Sequence, residues 1–145
     1  MSKQSPDDPT PIHAAGGVIL GAGDNKGKIA IVRRRRYNGE IALPKGKLRK
    51  GEDAVAAALR EVNEETGYKV RIREQAGTTH YFVGAAPKDV TYFLMEPEGG
   101  DGVPQDTGEI ASVEWVTPQA ALGLLTHRDD RDLISRIFKI DRSSP

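Results

Sequence analysis

The chain has 145 residues, the length of one ordinary domain and enough to bury roughly two-thirds of the surface its unfolded form would expose. Its 21 basic and 21 acidic residues balance, so no long-range field draws the whole molecule to nucleic acid or an anionic membrane, and any anion must be held locally. Cysteine is absent, which excludes a disulfide scaffold, a thiolate metal site and a thiol nucleophile and leaves oxygen or histidine as the only metal donors.

Residues 1–11, MSKQSPDDPTP, are polar with prolines at 6, 9 and 11. They cannot bury enough apolar area to offset their ordering entropy and are expected to be a disordered tail, with a single domain over residues 12–145. They lack the basic-then-apolar order of a signal peptide, and no apolar run approaches the roughly 20 residues of a membrane span, so a soluble cytoplasmic protein is expected. AAGGVILG and KIAIVRRRR flank the glycine-rich GAGDNKG and read as paired strands, the second ending in four arginines. EIALPKGK gives a short extended piece and then a loop, because Pro44 disfavours helix in the residue before it.

A helix follows, with Val55, Ala58, Leu59 and Val62 at the spacing of a core-facing stripe and Gly67 placed to end it in the left-handed conformation. Glu61, Glu64 and Glu65 share a different face, roughly 120° from that stripe, so the acids are expected to flank the core. KVRIREQ, THYFVG, DVTYFLME and ASVEWVT read as further strands, with PEGGDGVPQDTG the longest loop. Thr117 caps a helix with Pro118 at its first position, running to about Leu125, and RDDRDLISRIFKI forms a last amphipathic helix presenting Leu133, Ile134, Ile137 and Phe138. There is no internal repeat. The expected fold is an α/β sandwich with helices on both faces of a mixed sheet.

Like charges one turn apart repel, so the crowding of glutamates on one helix needs a reason. The segment GKLRKGEDAVAAALREVNEETGY resembles the Nudix box, G-x5-E-x7-R-E-U-x-E-E-x-G-U with U bulky and apolar, at Gly46, Glu52, Arg60, Glu61, Val62, Glu64, Glu65 and Gly67. At ordinary residue usage, a chance match somewhere in the chain is on the order of one in several million, so accident is set aside. Tyr68 stands where the pattern usually has an aliphatic residue. The likeness to the Nudix hydrolase family (MutT-like) extends over about residues 13–138 and implies a Nudix-type α/β/α sandwich. It also implies hydrolysis of a nucleoside diphosphate linked to another group.

The resemblance gives the crowding a chemical purpose. Mg²⁺ is a hard ion that takes one or two carboxylates and bridges to substrate phosphates. It lowers the pKa of a bound water and stabilises the leaving oxygen. Family membership implies Glu61, Glu64, Glu65 and the Gly46 carbonyl as its ligands, with Mn²⁺ able to substitute. Arg60 would orient the carboxylates, against the plainer alternative of an i, i+4 pair with Glu64. Glu52 would lie near the metal-bound acids, or complement the helix dipole, or both. Glu109 is the candidate for a further ligand or general base, with Glu114 the runner-up.

Lys45 and Lys47 are the expected phosphate contacts. Strand alternation sends two of the four arginines to one face, for which Arg34 and Arg36 are the candidates. Tyr81, Phe82, Tyr92 and Phe93 are the aromatics available to a base, and only one of each adjacent pair is expected to face the core; Tyr81 and Tyr92 are the chosen pair. PKGK and LLTHRDDRDLI resemble the diadenosine polyphosphate hydrolase branch, implying cleavage of diadenosine tetraphosphate to ATP and AMP. Departures are the missing tryptophan before LP and the lack of a cleanly placed tyrosine after the box. Alternatives are a nucleoside triphosphate pyrophosphatase, an ADP-ribose or diphosphoinositol polyphosphate hydrolase, and a sensor that binds nucleotides without cleaving them, whose expected mark, loss of box carboxylates, is absent. The partner implied is a small nucleotide or polyphosphate, with no nucleic acid or membrane, and the chain a monomer or homodimer.

Overall fold

The computed structural model describes residues 9–36 and 38–140, so the tail expected over residues 1–11 lies mostly outside the described residues. The elements in chain order are β1 (Ile12–Ile19), β2 (Ile29–Arg34), β3 (Ile41–Ala42), β4 (Lys45–Lys47), α1 (Ala54–Thr66), β5 (Tyr68–Val83), β6 (Ala86–Gly100), β7 (Ile110–Val116), α2 (Pro118–Leu124) and α3 (Arg128–Phe138). They build a four-stranded sheet, β4-β1-β6-β5, and a three-stranded sheet, β3-β2-β7. No described helix is long and apolar enough to cross a membrane.

β1 runs parallel to β6, from Ile12 opposite Lys88 to Ile19 opposite Met95, and antiparallel to β4 on its other edge. Both edges of β1 are therefore taken. That overturns the expected pairing of β1 with β2: a single bridge, Leu20 to Ile29, joins them, and β2 pairs instead with β3 and β7. The PKGK stretch expected as a loop supplies β4, and the prolyl residue before it contributes its carbonyl to Gly17 N–H at 3.1 Å. The two strands expected at KVRIREQ and THYFVG are one, β5, whose register shifts near Ile72 and Gln75 absorb the interruption.

Side-chain alternation divides the core in two. Ala14 and Val18 of β1, Val90 and Tyr92 of β6, and Ile29 and Ile31 of β2 pack with Ala121, Leu133 and Ile134 of the C-terminal helices. Ala15 and Ile19, Phe93 and Met95, and Ala30 pack with Ala57, Ala58 and Val62 of α1. The layers are thus α/β/α. Because both faces are covered, Tyr92 and Phe93 are both buried, and the expectation that one of them faces outward is corrected. Val55 also leaves its expected place in the core: it is 44% exposed, and small alanines take the inner face of α1, letting the helix sit close on the sheet.

Candidate active site

α1 begins where the Asp53 carboxylate accepts from Ala56 N–H at 2.8 Å and ends at Gly67, whose φ of 77° suits a residue without Cβ. One turn beyond Val62 on its inner face lies Glu65, only 2% exposed. The expectation that all three acids merely flank the core fails for this one. Its oxygens accept from Lys45 N–H at 3.1 Å and from Arg34 Nη1 at 3.4 Å. Burial nevertheless dominates and pushes its carboxyl up to about 7, with Glu61 adding to the rise and Arg34 opposing it.

Arg60 braces the remaining acids. Its Nε and Nη2 donate to the two oxygens of Glu52 at 2.8 Å each, its Nη1 to Glu61 at 2.6 Å and Glu64 at 3.3 Å, and its Nη2 also to the Lys47 carbonyl at 3.1 Å. The i, i+4 pair and the orienting contact are therefore the same side chain. The Arg60 hydrogen bonds, with a further one from Arg49 N–H, hold the Glu52 carboxyl down to about 2. Gly46 lies so close to Glu61 that an added Cβ would collide with the carboxyl group, which places that carboxylate against the backbone of the loop before α1.

Glu109, in the turn just before β7, reaches the same cleft and forms an ion pair with Arg34, which is thereby held between Glu109 and Glu65. Glu114 pairs with Arg33 at 3.4 Å and is not among the residues lining the cleft. Arg36 is exposed beyond the end of β2 and does not line it either, which removes it from the expected phosphate contacts; the four-arginine run leaves the strand before alternation can return Arg36 to the face of Arg34. Tyr92 is likewise removed as a stacking residue, being fully buried with its hydroxyl donating to Asp130 at 3.4 Å.

The cleft has a volume of about 840 Å³. Lys45, Lys47 and Lys88 line the same cleft as the glutamates. Lys45 is 6% exposed, yet neither it nor Lys88 has an ion pair among the described residues. Tyr81 lines the cleft beside Lys88, its ring stacked on His127 at 5.7 Å with Lys88 Nζ 5.6 Å from its centroid. His127 pairs with Glu40 at 3.4 Å. The Glu40 hydrogen bond raises the pKa of His127 and lowers that of Glu40. Sequence reasoning missed Glu40, Lys88 and His127 as parts of the cleft; they come from three separated segments, and although His127 lies within LLTHRDDRDLI, nothing in that stretch points it at the glutamates.

The donors around the glutamates are carboxylate oxygens and a backbone carbonyl, the set a hard divalent ion prefers, and the side-chain-free position at Gly46 brings Glu61 to that backbone. The donor chemistry fits such an ion. Among the described residues no three acids or histidines converge into a ready ligand group, and Arg34 and Arg60 hold ion pairs with Glu65 and Glu61.

A sequence profile of the NUDIX domain matches residues 11–137. The chain belongs to the NUDIX family. Over 112 residues this NUDIX chain is 36% identical to an 8-oxo-(d)GTP phosphatase of Mycolicibacterium smegmatis, a match covering 77% of this chain and 34% of that protein. Over 122 residues it is 34% identical to an ADP-ribose pyrophosphatase of Bacillus subtilis, covering 81% and 66% of the two chains. It thus spans between a third and two-thirds of these curated relatives. The crystal structure of a C. elegans Ap4A hydrolase binary complex superposes with a TM-score of 0.77 at 26% identity, covering 88% of this chain and 95% of that one.

Proposed function

We propose that this NUDIX protein hydrolyses a phosphoanhydride bond in a dinucleoside polyphosphate, such as diadenosine tetraphosphate to ATP and AMP, with Mg²⁺ or Mn²⁺. The observation that carries the reading is one cleft lined both by braced carboxylates and by lysines that have no ion pair among the described residues. A polyphosphate chain needs both, since carboxylates alone would repel it. The PKGK stretch and the likeness to the C. elegans Ap4A hydrolase favour two nucleosides. The likeness to the 8-oxo-(d)GTP phosphatase supports a nucleoside triphosphate as the second reading.

In this reading Glu61, Glu64, Glu65 and the Gly46 carbonyl hold the divalent ion, which, when bound, lowers the pKa of the attacking water and neutralises the leaving oxygen. Arg60 fixes the glutamate rotamers through its fork on Glu52. Lys45, Lys47 and Lys88 bind the phosphates. Arg34, turning toward a phosphate, frees Glu109 to accept the proton of the water.

The test is product analysis by anion-exchange chromatography after incubation with Mg²⁺ and a mixture of diadenosine tetraphosphate, nucleoside triphosphates, ADP-ribose and a diphosphoinositol polyphosphate. ATP and AMP appearing first supports the proposal, and Glu64→Gln should lower kcat on the order of a thousandfold while the fold persists. Earlier loss of another substrate overturns the dinucleoside assignment, undiminished turnover when the metal is chelated overturns the role of the ion, and absent turnover overturns the hydrolytic assignment.

A further inference from the structure

The mouth of the cleft carries an apolar feature that the metal and phosphate chemistry does not use. Phe82 is 71% exposed and Val83 48%, the only adjacent pair among the exposed large apolar residues described. Leaving a phenylalanine this open forgoes burial that would stabilise the fold. Alternation along β5 sends Tyr81 and Val83 to one face and Phe82 to the other, yet all three line the cleft. A strand can do this where it forms the rim: the last pairs of the β5–β6 hairpin, Phe82 opposite Pro87 and Val83 opposite Ala86, stand at the opening.

Beside Phe82 lies a second hollow of about 210 Å³. Pro11, Phe82 and Pro87 give it apolar walls, and His80, Lys88 and Asp89 give it polar edges. Tyr81, Phe82 and Lys88 belong to both cavities, so the hollow continues the cleft beyond its lysines. Asp89 has one oxygen engaged by His13 Nδ1 at 2.7 Å and offers the other to an exocyclic amine.

We propose that this hollow is a nucleobase subsite, in which the base of the nucleoside farther from the glutamates stacks on Phe82 while the adjoining phosphate lies on Lys88. An exposed aromatic face next to a cation suits a planar base linked to an anion. Lys88 stands directly across the hairpin from Tyr81, with its ammonium over that ring, so the cation is already held beside the Phe82 platform. The proposal rests on the polyphosphate reading of the cleft and adds to it the location of the second base. Tyr81, packed against His127, then serves as a positioning residue.

The test is binding, with no need for turnover. Phe82→Trp puts an indole at the rim, and Trp115, the one native tryptophan, supplies the background signal in the unaltered protein. With Mg²⁺ and a non-hydrolysable, methylene-bridged diadenosine tetraphosphate, the variant should show saturable quenching that inorganic tripolyphosphate does not produce. By calorimetry Phe82→Ala should bind the same analogue about tenfold more weakly than the native protein, the cost of one lost stack. Heat of binding without quenching overturns the subsite and leaves the polyphosphate reading standing. No heat from the native protein overturns both. A native dimer in sedimentation that Phe82→Ala converts to monomer assigns the patch to a second copy of the chain and overturns the nucleobase.

Discussion

The acids and the lysines of the cleft handle charge in opposite ways. On the α1 side every acid is braced before any ligand arrives: Arg60 serves Glu52, Glu61 and Glu64, and Arg34 serves Glu65 and Glu109. In the same cleft, Lys45 and Lys88 have no ion pair among the described residues, and Lys88 leans on the face of Tyr81. The difference teaches that geometry is stored in one set and electrostatic demand in the other. A braced set loses function when its positions shift, whereas the lysine set relaxes when a charge is removed.

The largest effect that would break this contrast is at Gly46. A methyl group there drives into the Glu61 carboxyl, and a displacement of about 1 Å at a reacting centre can cost on the order of a hundredfold. Gly46→Ala should therefore lose about that much kcat with an unchanged circular dichroism spectrum. Near-native turnover would show that Glu61 needs no support from the loop. Arg60→Lys keeps the charge and removes the fork; a loss of about ten- to a hundredfold in kcat is expected. NMR titration should then find the Glu52 carboxyl well above its native value of about 2.

Among the lysines the signs reverse. Burial, with help from Lys45, Lys47 and Arg34, pulls the Lys88 pKa down to about 8. Between there and the unfolded value of about 10.4, the unfolded chain binds more protons, so stability from this group rises with pH. Below that window the penalty is full. Lys88→Met should raise Tm at pH 7 by about a degree or two, an advantage that fades toward about pH 10, while KM for the polyphosphate rises severalfold. A fall in Tm at pH 7 would mean that Lys88 has a stabilising partner. Smallest is His127→Gln. The His127 contribution is complete below about 6.5 and is lost as pH rises through its raised value. That of Glu40 is complete above about 4.3 and is lost as pH falls through its lowered value. The variant should thus cost about 0.5 kcal/mol between those limits and less at pH 8, measured by urea unfolding.

Much of the glutamate cluster was legible because it is local. Spacing paired Arg60 with Glu64 and the resemblance placed it among the other acids, while local signals put Gly67 at the helix end and Thr117 at a cap, where its hydroxyl does accept from Ala120 N–H at 3.1 Å. Periodicity could not tell that α1 approaches the sheet on its alanines, and so it misplaced Val55 and left Glu65 outside the core. Strand partners depend on which edges remain free, a long-range matter that neighbouring apolar runs do not encode, hence the mistaken pairing of β1 with β2. The burial of both Tyr92 and Phe93 follows from helices on the two faces, a consequence of that fold not carried through to the single residues. The rest of the cleft brings together Glu40, Lys88 and His127 from distant parts of the chain, and no spacing rule reaches that far.

The β5–β6 hairpin also separates two kinds of inheritance. The acids on α1 come from one uninterrupted segment in which each residue is tied to several others, so a change at one is felt by all. The rim residues Phe82 and Val83 stand at a turn, open to water and tied to little besides their cross-strand neighbours. On the proposed reading, a change at the hairpin tip would alter which leaving group is accepted and leave the glutamates and their arginines untouched. For an engineer, the tip is the place to begin a library.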